Sequence, residues 1–378
     1  LGELRRRIFL DSVKIPVISS AASYILVKIS QFIMEKGYGM EGKYFELQAN
    51  LELPSNWDGL GTLIDKNWHS SNEYDKTQEN GGKNVTPFMG IFDGKGHRIT
   101  IPDGGKAPFK YVRKATIKNL KLYGANVDGS ALISSMFLDY GPTGNYDDLD
   151  LNKGFWTVII DNVTLESNSK TSDAGFMRGT GSGADKVTIR NSTVEQNVKV
   201  NGASFVSEFN GEMINCSSYA DVRGSGGLAE YKGQSMGECR FLNCSFFGTV
   251  KSGSYAGGII GSGYGRFGEA EPSAPNTPIV TVQNCVVAAD VEGKTYVGGI
   301  IGTEPSIVQC WSNGSGGISN NVFYGVLKGT ESDAVIGGIA GYMNSLNNQS
   351  LFENNFYYDR DGISHSIGSV FHQFLICL

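Results

Sequence analysis

Tyr255-Ala-Gly-Gly-Ile-Ile-Gly261 returns as Tyr296-Val-Gly-Gly-Ile-Ile-Gly302 and, loosened, as Val335-Ile-Gly-Gly-Ile-Ala-Gly341. Each copy follows a marker pair, Asn243-Cys244, Asn284-Cys285 or Asn320-Asn321. Cys244 and Gly258 stand 14 positions apart, and so do Cys285 and Gly299. Self-similarity in a fixed register points to one supersecondary unit stacked on itself. The marker extends upstream: Asn119, Asn162, Asn191, Asn215, Asn243, Asn284, Asn320 and Asn354 are separated by 43, 29, 24, 28, 41, 36 and 34 positions. A minimum near 24 with variable excess reads as a fixed coil carrying insertions at its corners. A second marker, apolar, stands six positions past the residue after Asn, at Val198, Val222, Val250, Val291 and Leu327.

The expected fold is therefore all-β, a parallel β-helix whose strands pair with their equivalents above and below. Inward positions fall to Val, Ile, Leu, Phe and Cys, and the marker Asn bonds neighbouring backbone at a bend. The glycine pairs, with Gly258, Gly299 and Gly338 at their centre, permit unusual dihedrals or close approach. Cys216, Cys244 and Cys285 fall at one repeat position, which Asn321 takes in the next coil. Thiols stacked in register point the same way, which suits disulfide geometry badly. They are read as buried free thiols acting as small apolar residues. Cys239, Cys310 and Cys377 lie off the pattern.

Four segments divide the chain: an atypical N-terminal stretch over 1–17, a cap helix with the first coils over 18–114, the repeats over 115–358, and a C-terminal segment or cap over 359–378. Ser19 to Lys36 carries apolar residues at helical spacing, a Ser N-cap and Gly37 as a stop, and is expected to cover the first exposed coil. Tyr44 to Leu53 alternates Phe45, Leu47, Ala49, Leu51 and Leu53 as a strand does. Asp93-Gly94 signals a turn.

Composition narrows the class. The chain has 378 residues, of which 40% are hydrophobic and 11% aromatic, enough for a core. A net charge of −6 without a basic stripe argues against nucleic acid or anionic membrane as partner. Asp11, Lys14 and Lys28 interrupt the apolar region from Ile8 to Met34, so no membrane insertion is expected. Arg5-Arg6-Arg7 before Ile8-Phe9-Leu10 mimics the start of a signal peptide, but Asp11 truncates its apolar part.

Tyr-Val-Gly-Gly-Ile-Ile-Gly after Asn-Cys resembles the GLUG motif of bacterial surface proteins. Residues 42–53 and 88–97 resemble the segment that commonly precedes such repeats. The resemblance implies a right-handed parallel β-helix on a secreted or cell-surface, adhesin-like bacterial protein, and it carries no catalytic residues. Leu1 to Lys14 and the earlier coils, which lack Gly-Gly-Ile, depart from the pattern. GLUG repeats also occur in IgA-cleaving metallopeptidases, whose chemistry needs a His-Glu-x-x-His helix for zinc. None of the four histidines, His69, His97, His365 and His372, is followed by Glu.

Parallel β-helices also host polysaccharide lyases and hydrolases, which need carboxylates converging on one groove. Asp147-Asp148 could contribute, but the rest of a pectin-hydrolase motif set is missing, and a solvated acidic loop is the better reading. Asp148, Asp150 and Asn152 place oxygens at alternate positions as calcium loops do. A strand with an acidic outer face and Leu149 and Leu151 inward competes with that reading and is favoured; no other cofactor is expected. Aromatic residues in or beside predicted loops, each better read singly as loop packing, could together form platforms for sugar rings or partner proteins: Trp57, Trp68, Tyr74, Tyr140, Tyr146, Tyr264, Phe267 and Trp311. The reading is a surface module that binds glycans or host or neighbour-cell proteins through loops 63–87, 138–154, 262–278 and 303–316, with Trp68, Tyr74, Tyr146, Tyr264 and Trp311 as its contacts. A glycan-active enzyme with a lateral groove and a plain spacer are the alternatives.

Overall fold

The computed structural model describes residues 12–14, 40–63, 85–112, 114–136, 157–179, 186–232, 239–262, 280–304, 317–343, 352–358 and 365–370. Among these residues there is no helix, and the strands stack as coils of a parallel β-solenoid. The helix expected from Ser19 to Lys36 lies outside the described residues. The coil from Val280 shows the plan. Val280–Gln283 and Val286–Val287 lie in a sheet broken at Asn284, Asp290–Gly293 forms a side sheet, Tyr296–Gly298 a corner sheet, and Ile301–Glu304 a back sheet. Equivalent strands pair in register coil after coil, as in Cys239↔Val280, Val250↔Val291, Ala256↔Val297 and Ile260↔Ile301. The first and last described strands join this stack. Ser12–Lys14 pairs with Tyr44–Glu46, and Ile367–Val370 extends the back sheet beyond Ala340–Met343.

All eight marker asparagines adopt a left-handed backbone, with φ between 52 and 57°. That conformation costs most L-residues about 1–2 kcal/mol, and Asn is among the few that visit it routinely. From Asn119 to Asn243 their side chains bond one another or a neighbouring Asp rather than the backbone, contrary to expectation. Asn162 Nδ2 donates to Asn119 Oδ1 at 2.9 Å, Asn243 to Asn215 at 3.3 Å and Asn215 to Asn191 at 3.4 Å. Asn119 and Asn191 donate to the carboxylates of Asp93 and Asp161, at 3.0 and 2.9 Å.

The left-handed residue interrupts the strand ladder, and the next residue repairs it. Its inward side chain accepts an N–H from the coil before: Val163 N–H to Ser192 Oγ at 3.1 Å, Cys285 N–H to Asn321 Oδ1 at 2.9 Å, Asn321 N–H to Asn355 Oδ1 at 3.2 Å. Most of these side chains also donate to a carbonyl of the preceding coil. Cys216 Sγ reaches Ile189 O at 3.5 Å, Cys244 Met213 O at 3.3 Å, Cys285 Phe241 O at 3.6 Å, Asn321 Nδ2 Val282 O at 2.8 Å and Asn355 Nδ2 Ile318 O at 2.7 Å. Cys216, Cys244 and Cys285 are free and buried, so the expected stack of thiols exists. Its chemistry differs from the expectation: the column is a polar stitch, which is why Ser, Cys and Asn share it. Burial pushes the Cys216 and Cys285 thiols up. Cys239 is also buried and joins no disulfide among the described residues, while Cys310 and Cys377 lie outside them.

Close approach explains the glycine pairs, since none of Gly258, Gly299 and Gly338 has a positive φ. A Cβ on Gly258 would stand 2.3 Å from Gly299 O and 2.5 Å from Val287. On Gly299 it would meet Gly338 O at 2.2 Å and the Phe323 ring at 2.4 Å, and on Gly338 the Tyr357 ring at 2.3 Å. The rings that press on these corners come from three positions past the marker Asn. The earlier coils, which lack Gly-Gly-Ile, reach the same corner with Ala174-Gly175-Phe176, Ala203-Ser204-Phe205 and Gly226-Gly227-Leu228, as Gly175 N–H→Ala203 O and Ser204 N–H→Gly227 O show. Two small residues before two apolar ones are the true signature.

Three sequence expectations shift in register or extent. Val200, not Val198, pairs with Val222, so that coil carries two additional residues before its side strand. Tyr44 to Leu53 is two strands, Tyr44–Glu46 and Leu51–Glu52, because the break that later coils make at Asn already exists there. Insertions leave chiefly from one corner rather than several. They fall between Ile133–Met136 and Thr157–Leu165, between Ile260–Ser262 and Val280–Gln283, and between Ile301–Glu304 and Ile318–Ser319. The 24-residue coil has none there: Gly211, at φ 129°, turns directly from the back strand Val206–Phe209 into Gly211–Ile214, and a Cβ would stand 2.1 Å from Val187 O.

Candidate binding face

Outward positions of the strands after the Asn break change character along the solenoid. Two residues past the marker they run Thr164, Thr193, Ser217, Ser245, Val286, Val322 and Phe356, in register through the strand pairing. Four residues past it stand Tyr219, Phe247, Ala288, Tyr324 and Tyr358, held in step by Phe247 N–H→Ser218 O, Ala288 N–H→Phe246 O, Tyr324 N–H→Val287 O and Tyr358 N–H→Phe323 O. The inner neighbours Phe246, Val287 and Phe323 fill the core, so alternation forces the outer set into solvent. Tyr324, Phe356 and Tyr358 are 53%, 65% and 55% exposed. Tyr219 and Phe247 stack with centroids 5.1 Å apart, and Tyr324 and Tyr358 pack at 5.3 Å. Val286 and Val322 are exposed beside them. Monomeric soluble proteins rarely leave a contiguous apolar patch without a contact role.

At the other end the same sheet is polar. Asp93, 2% exposed, accepts Tyr44 Oη–H at 2.7 Å, Asn119 Nδ2 at 3.0 Å and Lys95 N–H at 2.9 Å. Burial works against its charge, yet the Asn119, Tyr44 and Lys95 donors outweigh it and hold the carboxyl at about 2. Lys95 and Lys118 Nζ stand 5.7 and 5.8 Å from the centre of the Tyr44 ring. Further along, Arg190 pairs with Asp161 at 2.9 Å and Arg240 with Glu212 at 2.8 Å, one coil to the next. The Asn191 and Arg190 donors likewise outweigh burial and hold the Asp161 carboxyl below its ordinary value, and the two ion pairs stitch coils together.

Loop residues expected to make contacts, Trp68, Tyr74, Tyr146, Tyr264 and Trp311, lie outside the described residues, as do Tyr140 and Phe267 and the calcium candidates Asp148, Asp150 and Asn152. Trp57 is a core residue rather than a platform: it is buried and its indole N–H donates to Pro108 O at 3.3 Å. Among the described residues, no three His, Cys, Asp or Glu side chains come together as a metal-binding group. No helix among them is long and apolar enough to cross a membrane. The exposed ring column was missed because its members stand one residue past the short strands of the repeat rather than in the inserted loops. The signal that finds it is the column four residues past each marker Asn.

No protein-family model and no curated protein matches the chain. Among solved structures it is similar to a Bacteroides ovatus protein described provisionally as an immunoglobulin A1 protease, with 16% identity, 95% of this chain and 76% of that chain covered, and a TM-score of 0.36. A likeness at that level carries no argument about function, and the fold stands on the strand pairing itself.

Proposed function

We propose that this chain is a binding module of a secreted or cell-surface bacterial protein, a right-handed parallel β-helix that holds an aromatic face toward glycans. The observation that carries the reading is the run of exposed rings and valines over the last five coils described after the Asn break. Flat rings on a rigid sheet offer apolar area with little side-chain entropy to lose on contact. The Asn-Cys and Gly-Gly-Ile-Ile-Gly pattern, similar to GLUG repeats, supports the cell-surface setting. The strands that flank the stretches bearing Tyr146, Tyr264 and Trp311 end and begin at one corner of the coil.

A glycan array probed with the purified chain tests this. Binding that falls at least about tenfold in Tyr324→Ala or Phe356→Ala, with an unchanged melting temperature, is the expected result. Silence across the array, or binding that ignores both substitutions, refutes it; silence with full stability is the behaviour of a spacer.

A further inference from the structure

The ring column is interrupted at one coil. Tyr219 stacks on Phe247 and Tyr324 packs on Tyr358, but between these pairs stands Ala288, whose side chain ends at a methyl group. Adjacent coils of a parallel sheet lie about 4.8 Å apart, which sets Phe247 and Tyr324 about 10 Å apart across Ala288. A ring inserted midway would sit about 5 Å from each, inside the range in which rings pack favourably. The rest of the column keeps that spacing, at 5.1 and 5.3 Å.

The flanks of this gap differ. Along the strand on one side stands Val286, exposed and apolar. On the other, past the inward Ala289, the chain turns into the side sheet at Asp290, an exposed residue whose carboxylate makes no hydrogen bond or ion pair among the described residues. In the same register column the neighbouring carboxylate, Asp221, is occupied by Thr249 Oγ1 at 3.1 Å. The gap therefore has two aromatic walls, a methyl floor, one apolar flank and one acceptor flank.

We infer that the gap over Ala288 is a subsite for one pyranose ring of a glycan, stacked between Phe247 and Tyr324 with hydroxyls donated to Asp290. A pyranose has apolar C–H faces and hydroxyls on its rim, which matches these walls and this acceptor. A guanidinium of a partner protein would also stack and pair with Asp290, but it would set N–H donors against exposed Val286, where a pyranose can lay a C–H edge. A partner's Phe ring would leave Asp290 unanswered. The inference rests on the proposal that this face binds glycans, and names the place and the class of group bound.

Titration calorimetry with cellohexaose, xylohexaose, chitohexaose and maltohexaose, and with a hexa-arginine peptide, tests it on the full chain. Ala288→Phe completes the ring column and fills the gap, so the affinity of any hexasaccharide bound by the native chain should fall at least about tenfold while the melting temperature holds or rises. Asp290→Asn should weaken the same sugar by about three- to tenfold with its stability unchanged. Sugar binding that survives Ala288→Phe but is lost in Phe356→Ala leaves the face reading intact and overturns the subsite. Native binding of hexa-arginine alone, abolished by Ala288→Phe, overturns the sugar in favour of a basic peptide. Absence of binding to every hexasaccharide overturns both readings.

Discussion

Asn321→Leu is the sharpest probe of how this solenoid is held together. The native side chain is fully buried, accepts the Cys285 N–H at 2.9 Å and donates to Val282 O at 2.8 Å and Asn355 Oδ1 at 2.9 Å. Leucine has nearly the same branching and should gain from burial, so on hydrophobicity alone it ought to stabilise. It would, however, leave Cys285 N–H without an acceptor in the core and strip Val282 O, which the strand pairing with Ile318–Ser319 also satisfies, of its second donor. The orphaned N–H costs about 1–3 kcal/mol and the lost second bond about 0.5–1.5 kcal/mol. Leucine burial returns about 1.5–3 kcal/mol, less what the asparagine's own packing already contributes. A net loss of about 1–3 kcal/mol is expected. Asn321→Cys is the paired control. It rebuilds the arrangement of Cys216, Cys244 and Cys285, whose thiols reach the equivalent carbonyls, and should cost about 1 kcal/mol or less. Urea denaturation followed by circular dichroism, with amide exchange read at Cys285, measures both. The polar-stitch account is refuted if the leucine variant matches the native chain in stability, or if the cysteine variant is as damaged as the leucine one.

Other parts of the frame make further predictions. Gly299→Ala should destabilise by about 2 kcal/mol or more, because the new methyl meets Gly338 O and the Phe323 ring rather than a flexible side chain, and thermal melting reads this directly. Asp93 is held near 2 in the folded chain against about 3.9 unfolded. Its contribution, about 2 kcal/mol, is complete above pH 4 and disappears as pH falls through 2, so Asp93→Asn should flatten the acid limb of a stability–pH curve. Asn243→Ala should lose about 1–2 kcal/mol from the left-handed backbone alone, and Asn243→Gly less, by equilibrium unfolding. Cys216, Cys239, Cys244 and Cys285, all buried, should resist thiol alkylation in native buffer and react in denaturant, as peptide mapping would show.

The sequence by itself determined the period. Asn at a left-handed break, a buried residue after it and small residues at the far corner must recur wherever the backbone repeats, because few residue types tolerate those positions. The marker asparagines could therefore be placed in advance, and all eight share the left-handed φ. Two readings went astray where a residue type has two uses. Cysteine can be an apolar filler or a weak donor and acceptor, and only the carbonyls beside Cys244 and Cys285 decide between them. Trp57 sits in a loop-like stretch, yet the Pro108 carbonyl and the core claim it. The tertiary structure alone decided register: that Val200 rather than Val198 meets Val222, and that the insertions share a corner. It also decided which rings become neighbours. Tyr219, Phe247, Tyr324 and Tyr358 are separated by 28, 77 and 34 positions in the chain, and only the stacking of coils makes them one column with a single interruption at Ala288.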